Sequence, residues 1–205
     1  MKRPYLVGLT GSIGMGKTET AKMFARLGVP VYDSDAAVHR LYEKGGAAVP
    51  QIAKAFPAAV VDGKVDRAKL TAMVTADKTA FKRLEEIVHP LVAREQLKFL
   101  DDNTSAEMVV LDIPLLFETG GHARMDAVVV VSAPAHIQRA RVLERPGMTP
   151  DKLDHILSRQ TPDEEKRAKA HFVIVTDQGL DHAFEQVKLV VVALHERRAK
   201  ENKDA

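Results

Sequence analysis

The sequence predicts an α/β protein built on a parallel, doubly wound β-sheet, and three observations support this fold class. A glycine-rich loop follows an apolar run near the start of the chain and precedes a pattern of helical spacing. Five short β-branched runs alternate with helical segments along the chain. The runs are unevenly spaced, which leaves room for two insertions. A chain of 205 residues suits one such core, so we predict a single domain over residues 1–205.

The glycine-rich loop reads Gly-Ser-Ile-Gly-Met-Gly-Lys-Thr over residues 11–18 and fits G-x-x-x-x-G-K-[ST] at every fixed position. Glycines let the backbone turn its N–H groups inward around a polyphosphate. Lys17 can then reach the β- and γ-phosphates, and the Thr18 hydroxyl can ligate Mg²⁺. The alternative is a glycine-rich turn without a ligand. The apolar run before the loop and the helical pattern after it favour a phosphate-binding loop.

Four further apolar runs lack polar alternation, which is typical of strands covered on both faces. They span residues 29–32, 108–111, 127–131 and 172–175. Parallel sheets bind ligands outside the carboxyl ends of their strands, where the phosphate loop also lies. We therefore expect the polar residues that follow the runs to lie at the edge of the sheet that carries the loop. These residues are Asp33, Asp35, Asp112, Ser132 and Thr176.

The second and third runs are separated by about 75 residues, far more than one crossover helix needs. The composition of this first insertion predicts helices. They span residues 36–42, 49–55, 67–75 and 78–100, and the last must bend near Pro90. A second insertion, residues 137–169, is rich in arginine. Its arginines are Arg139, Arg141, Arg145, Arg159 and Arg167.

Two carboxylate motifs follow predicted strands. Asp33-Ser34-Asp35 has two readings of equal weight: a general base for an attacking hydroxyl, or a cap in which Ser34 or Asp35 begins a helix at Ala36. Asp112 closes an apolar strand in the pattern of a Walker B carboxylate that helps to hold Mg²⁺. The apolar turn after it, residues 113–118, could wall a substrate pocket.

Basic residues supply two further candidates. Arg141 and Arg145 are four residues apart, so we expect them to share one helix face and to close as a lid over a triphosphate. The alternative is a solvated basic face. His89-Pro90 lies inside a predicted helix, where a structural kink is the alternative to a role in binding.

Composition excludes several classes of function. The chain has no cysteine, which removes disulfides, thiol catalysis and cysteine zinc sites. No apolar run approaches the ~20 residues that cross a bilayer, and the N-terminus lacks a secretory hydrophobic region. Thirty basic and 28 acidic residues leave a net charge of +2, which argues against nucleic acid binding. We expect a cytoplasmic protein with no membrane or nucleic acid partner.

A set of motifs in fixed order resembles the dephospho-coenzyme A kinase family over about residues 5–180. The shared segments are the loop at 8–18, Asp-Ser-Asp at 33–35, Val-Asp-Arg-Ala-Lys-Leu at 65–70, Leu-Glu-Glu-Ile-Val-His-Pro at 84–90 and Pro-Leu-Leu-Phe-Glu at 114–118, with Gln138, Arg141, Arg145 and Gln160. The loop alone is generic, but His-Pro followed by Pro-Leu-Leu-Phe-Glu is highly specific.

The resemblance implies a three-layer P-loop NTPase core with a five-stranded parallel sheet, a helical substrate-binding insertion and a helical lid. The core would comprise about residues 1–35, 101–136 and 170–200, with the coenzyme-binding insertion at about 36–100 and the lid at about 137–169. The implied reaction is the ATP-dependent phosphorylation of the ribose 3′-hydroxyl of dephospho-coenzyme A, the last step of coenzyme A biosynthesis. ATP and dephospho-coenzyme A would be the partners. We expect a monomer, with an oligomer as the alternative.

The resemblance also implies roles for individual residues, and it favours Asp35 as the general base. The catalytic residues would be Asp35, Lys17 and Arg141. ATP would be bound by Gly11, Ser12, Ile13, Gly14, Met15, Gly16, Lys17, Thr18, Glu19, Arg141 and Arg145. The acceptor would be bound by Asp33, Asp35, Arg67, His89, Pro90, Leu115 and Phe117. Mg²⁺, which accompanies ATP, would be held by Thr18 and Asp112.

The chain departs from the family pattern around the last strand, where the pattern usually reads Ala-Asp before the strand and Asn after it. This sequence has Ala170-His171 and Thr176 instead. The resemblance places that part of the pattern near the adenine of ATP. Ser12 also replaces a usual glycine.

Two rival functions remain at this stage. Another small-molecule kinase of the same architecture would have the same loop and the same strand-end carboxylates. A nucleotide-dependent switch is disfavoured because the sequence lacks N-K-x-D for guanine and D-x-x-G after the loop.

Overall fold

A computed structural model describes residues 3–201 and 203. The chain divides into two compact units. One contains residues up to 32 and from 103 onward, and the other contains residues 33–102. Among the described residues, no helix is long and apolar enough to cross a membrane.

The larger unit is built on a five-stranded sheet with the strand order β2-β5-β1-β6-β7. β1 pairs in parallel with β5 and β6, and β6 pairs in parallel with β7. The strands are β1 Tyr5–Thr10, β2 Val31–Asp33, β5 Met108–Asp112, β6 Ala127–Ser132 and β7 Phe172–Val175, and the helices are α1 Lys17–Arg26, α6 Ala135–Leu143, α7 Pro150–Leu157, α8 Asp163–Ala168 and α9 Leu180–Glu201, with a 3₁₀ turn at Gly121–Arg124. All five predicted strands and the predicted fold class are confirmed.

The core of this unit explains why the apolar runs form strands. Every residue of β5 and β6 is buried, as expected for strands covered on both faces. Side chains of β1, such as Val7 and Leu9, pack with Phe24 of α1 and Val187 of α9 in one cluster. The sheet therefore fixes the carboxyl end of β1, from which the glycine-rich loop begins.

Residues 33–102 form the helical unit, with α2 Ser34–Tyr42, α3 Val49–Ala55, a 3₁₀ turn Pro57–Ala59, β3 Val60–Val61, β4 Lys64–Val65, α4 Arg67–Ala76 and α5 Lys78–Asp102. The four predicted helices are confirmed, and α5 runs without a break through Pro90. The predicted bend near Pro90 stays a prediction. Leu41, Ile52, Phe56, Leu70 and Leu91 are among the buried residues of its core.

The helical unit also contains a hairpin that the sequence analysis missed. β3 and β4 pair antiparallel, with Val60 opposite Val65 and Val61 opposite Lys64. The two connecting residues, Asp62 and Gly63, have φ values of 52° and 79°. Asp-Gly is a preferred pair for a two-residue turn that needs positive φ at both positions. The first insertion is therefore not wholly helical.

His171 lies at the amino end of β7, the sheet edge opposite to the one that carries the loop. The Val128 N–H donates to His171 Nδ1 at 3.0 Å, and the His171 N–H donates to the Val128 oxygen at 2.9 Å. The expectation that this departure from the family pattern lies near a nucleotide base is wrong for His171. Its side chain instead accepts a hydrogen bond from the N–H of Val128 in β6.

We expect the His171→Asn variant to lose less stability than the wild type when the pH falls. Burial lowers the pKa of His171, and Arg197 lowers it further against the opposing effect of Glu201. The unfolded chain therefore binds the proton more readily than the folded protein. The stabilisation that neutral His171 provides is complete above about pH 6.5 and is lost as the pH falls through the lowered pKa. Asparagine keeps an acceptor for Val128 but does not titrate.

Chemical denaturation between pH 7.5 and 5 measures this difference. His136→Asn, at an exposed position on α6, serves as the control. The role assigned to His171 would be refuted by identical pH dependence in the wild type and in His171→Asn.

Candidate functional site

The glycine-rich loop occupies residues 11–16, between β1 and α1. Gly16 is the cap residue of α1 and has φ 94°. Because glycine has no side chain, it offers no side-chain acceptor to the first N–H groups of the helix. The first N–H groups of a helix have no partner within the helix, and the helix dipole places partial positive charge at this end. The loop and the start of α1 therefore offer backbone donors suited to a phosphate.

Gly14 illustrates how closely the loop is packed. Its φ is +79°, a value that L-residues rarely adopt, and an added Cβ would lie 2.5 Å from Cγ2 of Val142 on α6. Both the backbone angle and the contact require glycine at this position. The loop is thus shaped by α6 as well as by the strand that precedes it.

Lys17 and Asp112 form an ion pair at the carboxyl edge of the sheet. The Lys17 side chain is 16% exposed and the Asp112 side chain 4% exposed. Asp112 lies opposite Leu9, the penultimate residue of β1, so the strand register brings the carboxylate to the loop. The sequence predicted separate tasks for these residues, and the structure places them in contact. Thr18 is exposed on the first turn of α1, and Glu19 pairs with Lys22 at 2.7 Å.

Thr176, the other departure from the family pattern, follows β7 and lies at the loop edge of the sheet. Its hydroxyl donates to the Met15 oxygen at 2.8 Å and accepts a hydrogen bond from Arg141 Nη1 at 2.9 Å. Arg141 Nη2 donates to the Thr176 oxygen at 2.6 Å. Arg141 is therefore docked beside the phosphate loop by two hydrogen bonds to Thr176. Asp112, Ser132 and Thr176 all lie at this edge, as predicted.

The expectation that Arg141 and Arg145 share a helix face is wrong. α6 ends at Leu143, and Arg145 lies in the exposed turn that follows. Pro146 disfavours helical backbone at the preceding residue, and Gly147 has φ 75°, so the chain turns away before a further helical turn can form. Of the pair, only Arg141 is docked at the loop.

The cap of α2 also differs from the expectation. α2 begins at Ser34, and its cap is Asp33, whose Oδ1 accepts from the Ala36 N–H at 2.9 Å. Neither Ser34 nor Asp35 caps the helix. Asp35 is exposed in the first turn of α2, and its carboxylate has no hydrogen bond or ion pair within residues 3–201 and 203. The capping alternative therefore applies to Asp33, and the carboxylate of Asp35 remains available for chemistry.

Leu115 and Phe117, both predicted to bind substrate, differ in exposure. Leu115 is 45% exposed, whereas Phe117 is 8% exposed and packs in a cluster with Leu116, Val128 and Val130. Leu115 thus presents an apolar surface on the turn after β5. Phe117 anchors that turn to the core.

The remaining predicted acceptor residues lie in the helical unit and are exposed. Arg67 is the first residue of α4, and its charge opposes the rise that burial produces in the pKa of Tyr42. His89 and Pro90 lie on the surface of α5, where His89 Nε2 is 3.9 Å from Glu85. The Arg67 guanidinium and the His89 imidazole are both polar groups accessible to a ligand.

Sequence reasoning assigned no role to four residues that hold the loop region together. Gln138 and Gln160 bind the backbone of Ile13, and Lys166 forms a buried ion pair with Glu118 at 2.9 Å. Both glutamines and Glu118 belong to the matched motifs, but Lys166 lies in a charged run, Asp163-Glu164-Glu165-Lys166-Arg167, that is typical of a solvated surface. No local pattern distinguishes this lysine from its exposed neighbours.

Taken together, the sheet order, the loop before α1, the Lys17–Asp112 pair and the docked Arg141 define a class of protein. The backbone donors and cations converge where a nucleotide triphosphate binds in this fold, and an arginine supplied by a neighbouring helix suits phosphoryl transfer. The protein is a P-loop kinase.

Comparison with known proteins gives the particular family. The sequence model of the dephospho-CoA kinase family matches residues 5–182, so the chain belongs to that family. A dephospho-CoA kinase from Mesorhizobium japonicum is 58% identical over 195 residues, which are 94% of this chain and 98% of that protein.

Two solved structures resemble the fold. The structure of TT1252 from Thermus thermophilus has a TM-score of 0.83 and 35% sequence identity, with 94% of this chain and 98% of the other covered. The dephospho-CoA kinase from Campylobacter jejuni has a TM-score of 0.66 at 21% identity, with 93% and 97% covered, and shows a shared fold.

Proposed function

We propose that the protein transfers the γ-phosphoryl group of ATP to the ribose 3′-hydroxyl of dephospho-coenzyme A, which completes coenzyme A. The observation that carries this proposal is the family match over residues 5–182, which includes an intact phosphate loop with Lys17 paired to Asp112. ATP is the co-substrate expected of a kinase of this family.

In the proposed reaction, the oxygen of the 3′-hydroxyl bonds to the γ-phosphorus, and Asp35 accepts the proton of that hydroxyl. The bond from that phosphorus to the β–γ bridging oxygen breaks, and ADP leaves. Lys17 and the loop amides other than those of Ile13 and Met15, which donate to Gln160 and Ser12, bind the triphosphate. Arg141 stabilises the charge that develops on the transferred group. The carboxylate of Asp35, exposed and without a partner among the described residues, is the feature of α2 that supports its role.

The acceptor residues are proposed from the family resemblance, unit by unit. In the helical unit these are Asp33, Asp35, Arg67, His89 and Pro90. In the larger unit they are Leu115, through its exposed side chain, and Phe117, through the turn that it anchors.

Mg²⁺ fits the residues of the loop edge. Among the described residues, no group of three or more His, Cys, Asp or Glu side chains forms a metal cage. Mg²⁺ does not need one, because it usually keeps several waters and binds one or two protein oxygens together with substrate phosphates. The Thr18 hydroxyl and the Asp112 carboxylate are the oxygens proposed to hold it. Bound there, the ion would neutralise charge on the β- and γ-phosphates.

We also propose that the enzyme acts as a cytoplasmic monomer on these two small molecules, without nucleic acid or membrane partners. The net charge of +2 and the absence of cysteine support this setting.

An ADP-release assay with MgATP tests the proposed function. The acceptors to compare are dephospho-coenzyme A, adenosine, AMP and none. Turnover should require dephospho-coenzyme A and should yield coenzyme A, identified by mass. Turnover with another acceptor would keep the kinase class and reject the substrate, and acceptor-independent hydrolysis would reject transfer altogether.

We expect Asp35→Asn to lower kcat by about 10²- to 10⁴-fold, the range for loss of a general base, while the Kd for ATP changes less than about twofold. Single-turnover kinetics and calorimetric titration with ATP measure the two quantities. Asp77→Asn is the matched control, because Asp77 is exposed in the same unit and its carboxylate accepts from the Thr79 N–H at 2.8 Å, a bond that asparagine can also accept. Equal loss of turnover and of ATP binding in Asp35→Asn would contradict a role as base.

A further inference from the structure

Two glutamines hold the backbone of one phosphate-loop residue from both sides. Gln138 Nε2, on α6, donates to the Ile13 oxygen at 2.8 Å. The Ile13 N–H donates to Oε1 of Gln160, in the segment after α7, at 3.2 Å. The N–H and the C=O of Ile13 are thereby both satisfied by side chains from residues 137–169.

The two glutamines act in opposite chemical senses. A peptide N–H can only donate and a peptide C=O can only accept, so Gln160 must present its oxygen and Gln138 its nitrogen. Gln138 is 6% exposed, so water has little access to replace its bond, whereas Gln160 is half-buried. The same residue type is therefore required at the two positions for different atoms.

The contacts around the glutamines fix them against the rest of the larger unit. The Thr161 N–H, next to Gln160, donates to Glu118 Oε1 at 2.8 Å, and Glu118 pairs with the buried Lys166. On the other side, Val142, one helical turn after Gln138, is in close contact with Gly14. Both glutamines are thus held by neighbours that leave little freedom to the loop.

We propose that Gln138 and Gln160 are positioning residues for the triphosphate and that they act through Ile13. By holding that residue, they keep the loop amides of Gly14, Gly16 and Lys17 aimed at the phosphates. They also link the order of residues 137–169 to nucleotide affinity. This inference rests on the proposed use of ATP, but not on the identity of the acceptor.

Substitutions at Gln160 separate the hydrogen bond from the bulk of the side chain. Gln160→Glu keeps an oxygen acceptor for the Ile13 N–H, whereas Gln160→Met keeps the length and loses the acceptor. We expect Gln160→Met to weaken ATP binding about three- to tenfold, the effect of one lost hydrogen bond. Gln160→Glu should weaken it less, because it keeps the acceptor, although its negative charge opposes that of the phosphates. Calorimetric titration of the full-length protein with MgATP, without acceptor, measures both.

At Gln138 the order of the variants should be reversed. A carboxylate cannot donate to the Ile13 oxygen and would repel it, so Gln138→Glu should weaken ATP binding at least as much as Gln138→Met. Gln51→Met, at an exposed position on α3, is the control and should leave the Kd for ATP unchanged. Because Gln138 is buried and its variants could fail to fold, the Gln160 pair alone decides the test.

Melting temperatures and kinetics distinguish positioning from a purely structural role. Positioning requires Gln160→Met to raise the KM for ATP without a matching loss of kcat, and Gln160→Glu to raise it less than Gln160→Met does. The proposal is overturned if both Gln160 variants bind ATP like the wild type, or if both weaken it equally. Because the measured quantity is ATP binding, the test of these two glutamines does not depend on which acceptor the enzyme uses.

Discussion

Replacing Lys17 by methionine should lower kcat/KM for ATP by on the order of 10³-fold. The Lys17 side chain lies at the start of α1 beside Asp112 and is 16% exposed. A triphosphate bound as proposed would therefore meet the ammonium where water is scarce. Donors aimed at charge that develops in the transition state are worth about 10² to 10³ each in such sites, and a cation on the transferring phosphates belongs at the upper end. Steady-state kinetics with saturating acceptor measure the loss.

The control for this prediction is Lys22→Met, which makes the same chemical change on the same helix. The Lys22 side chain is 65% exposed and pairs with Glu19 at 2.7 Å, so its loss should leave kcat/KM within about twofold. If Lys17→Met retained activity within tenfold of the wild type, Lys17 would serve the Asp112 pair and not the phosphates.

The parts of this protein that the sequence predicts well are those determined by local chemistry. A loop that must turn its amides inward needs glycines at fixed intervals, and strands covered on both faces need uninterrupted apolar runs, so both patterns are visible in single segments. The strand ends at Asp112, Ser132 and Thr176 follow from the same logic, because parallel strands share one carboxyl edge. The spacing of the motifs does not identify the acceptor, which only the resemblance to the kinase family indicates.

The predictions from sequence fail where the decisive contact joins residues distant in the chain, or where turn residues determine the local structure. Arg145 was assigned to a helix from its spacing alone, although the Pro146 that follows it signals the end of α6. The hairpin at Asp62-Gly63 carried a recognisable turn signal that helical spacing on either side obscured. The partner of Lys166 lies 48 residues earlier, at Glu118, so no window of sequence reveals that this lysine is buried.

That buried ion pair leads to the second large expected effect. Lys166 is completely buried and Glu118 is 15% exposed, with Nζ and Oε1 2.9 Å apart. Removing one partner leaves the other charge in a poorly solvated site, which typically costs about 3–5 kcal/mol. We therefore expect Lys166→Met to lower the free energy of unfolding by that amount, measured by urea denaturation at pH 7. Lys169→Met, which removes an exposed lysine 4.0 Å from Glu165, should change it by less than about 0.5 kcal/mol.

Acidification should affect the pair in a defined direction. Burial raises the pKa of Glu118, but the Lys166 ammonium and the N–H groups of Glu118 and Thr161 outweigh it, so the pKa lies below its ordinary value. The stabilisation is therefore complete above the ordinary glutamate pKa of about 4.3 and is lost as the pH falls through the lowered value. Lys166→Met should flatten this part of the stability profile.

The double variant Glu118→Gln/Lys166→Met separates the cost of an orphaned charge from the net value of the pair. A buried ion pair replaced on both sides is often close to neutral in stability, so the double variant should recover most of the loss seen in Lys166→Met. Glutamine at 118 keeps an oxygen for the Thr161 N–H, so the segment that carries Gln160 should also keep its position. If the double variant is as unstable as Lys166→Met, the loss of stability comes from the missing attraction between Lys166 and Glu118. The cost of leaving Glu118 unpaired would then not explain it.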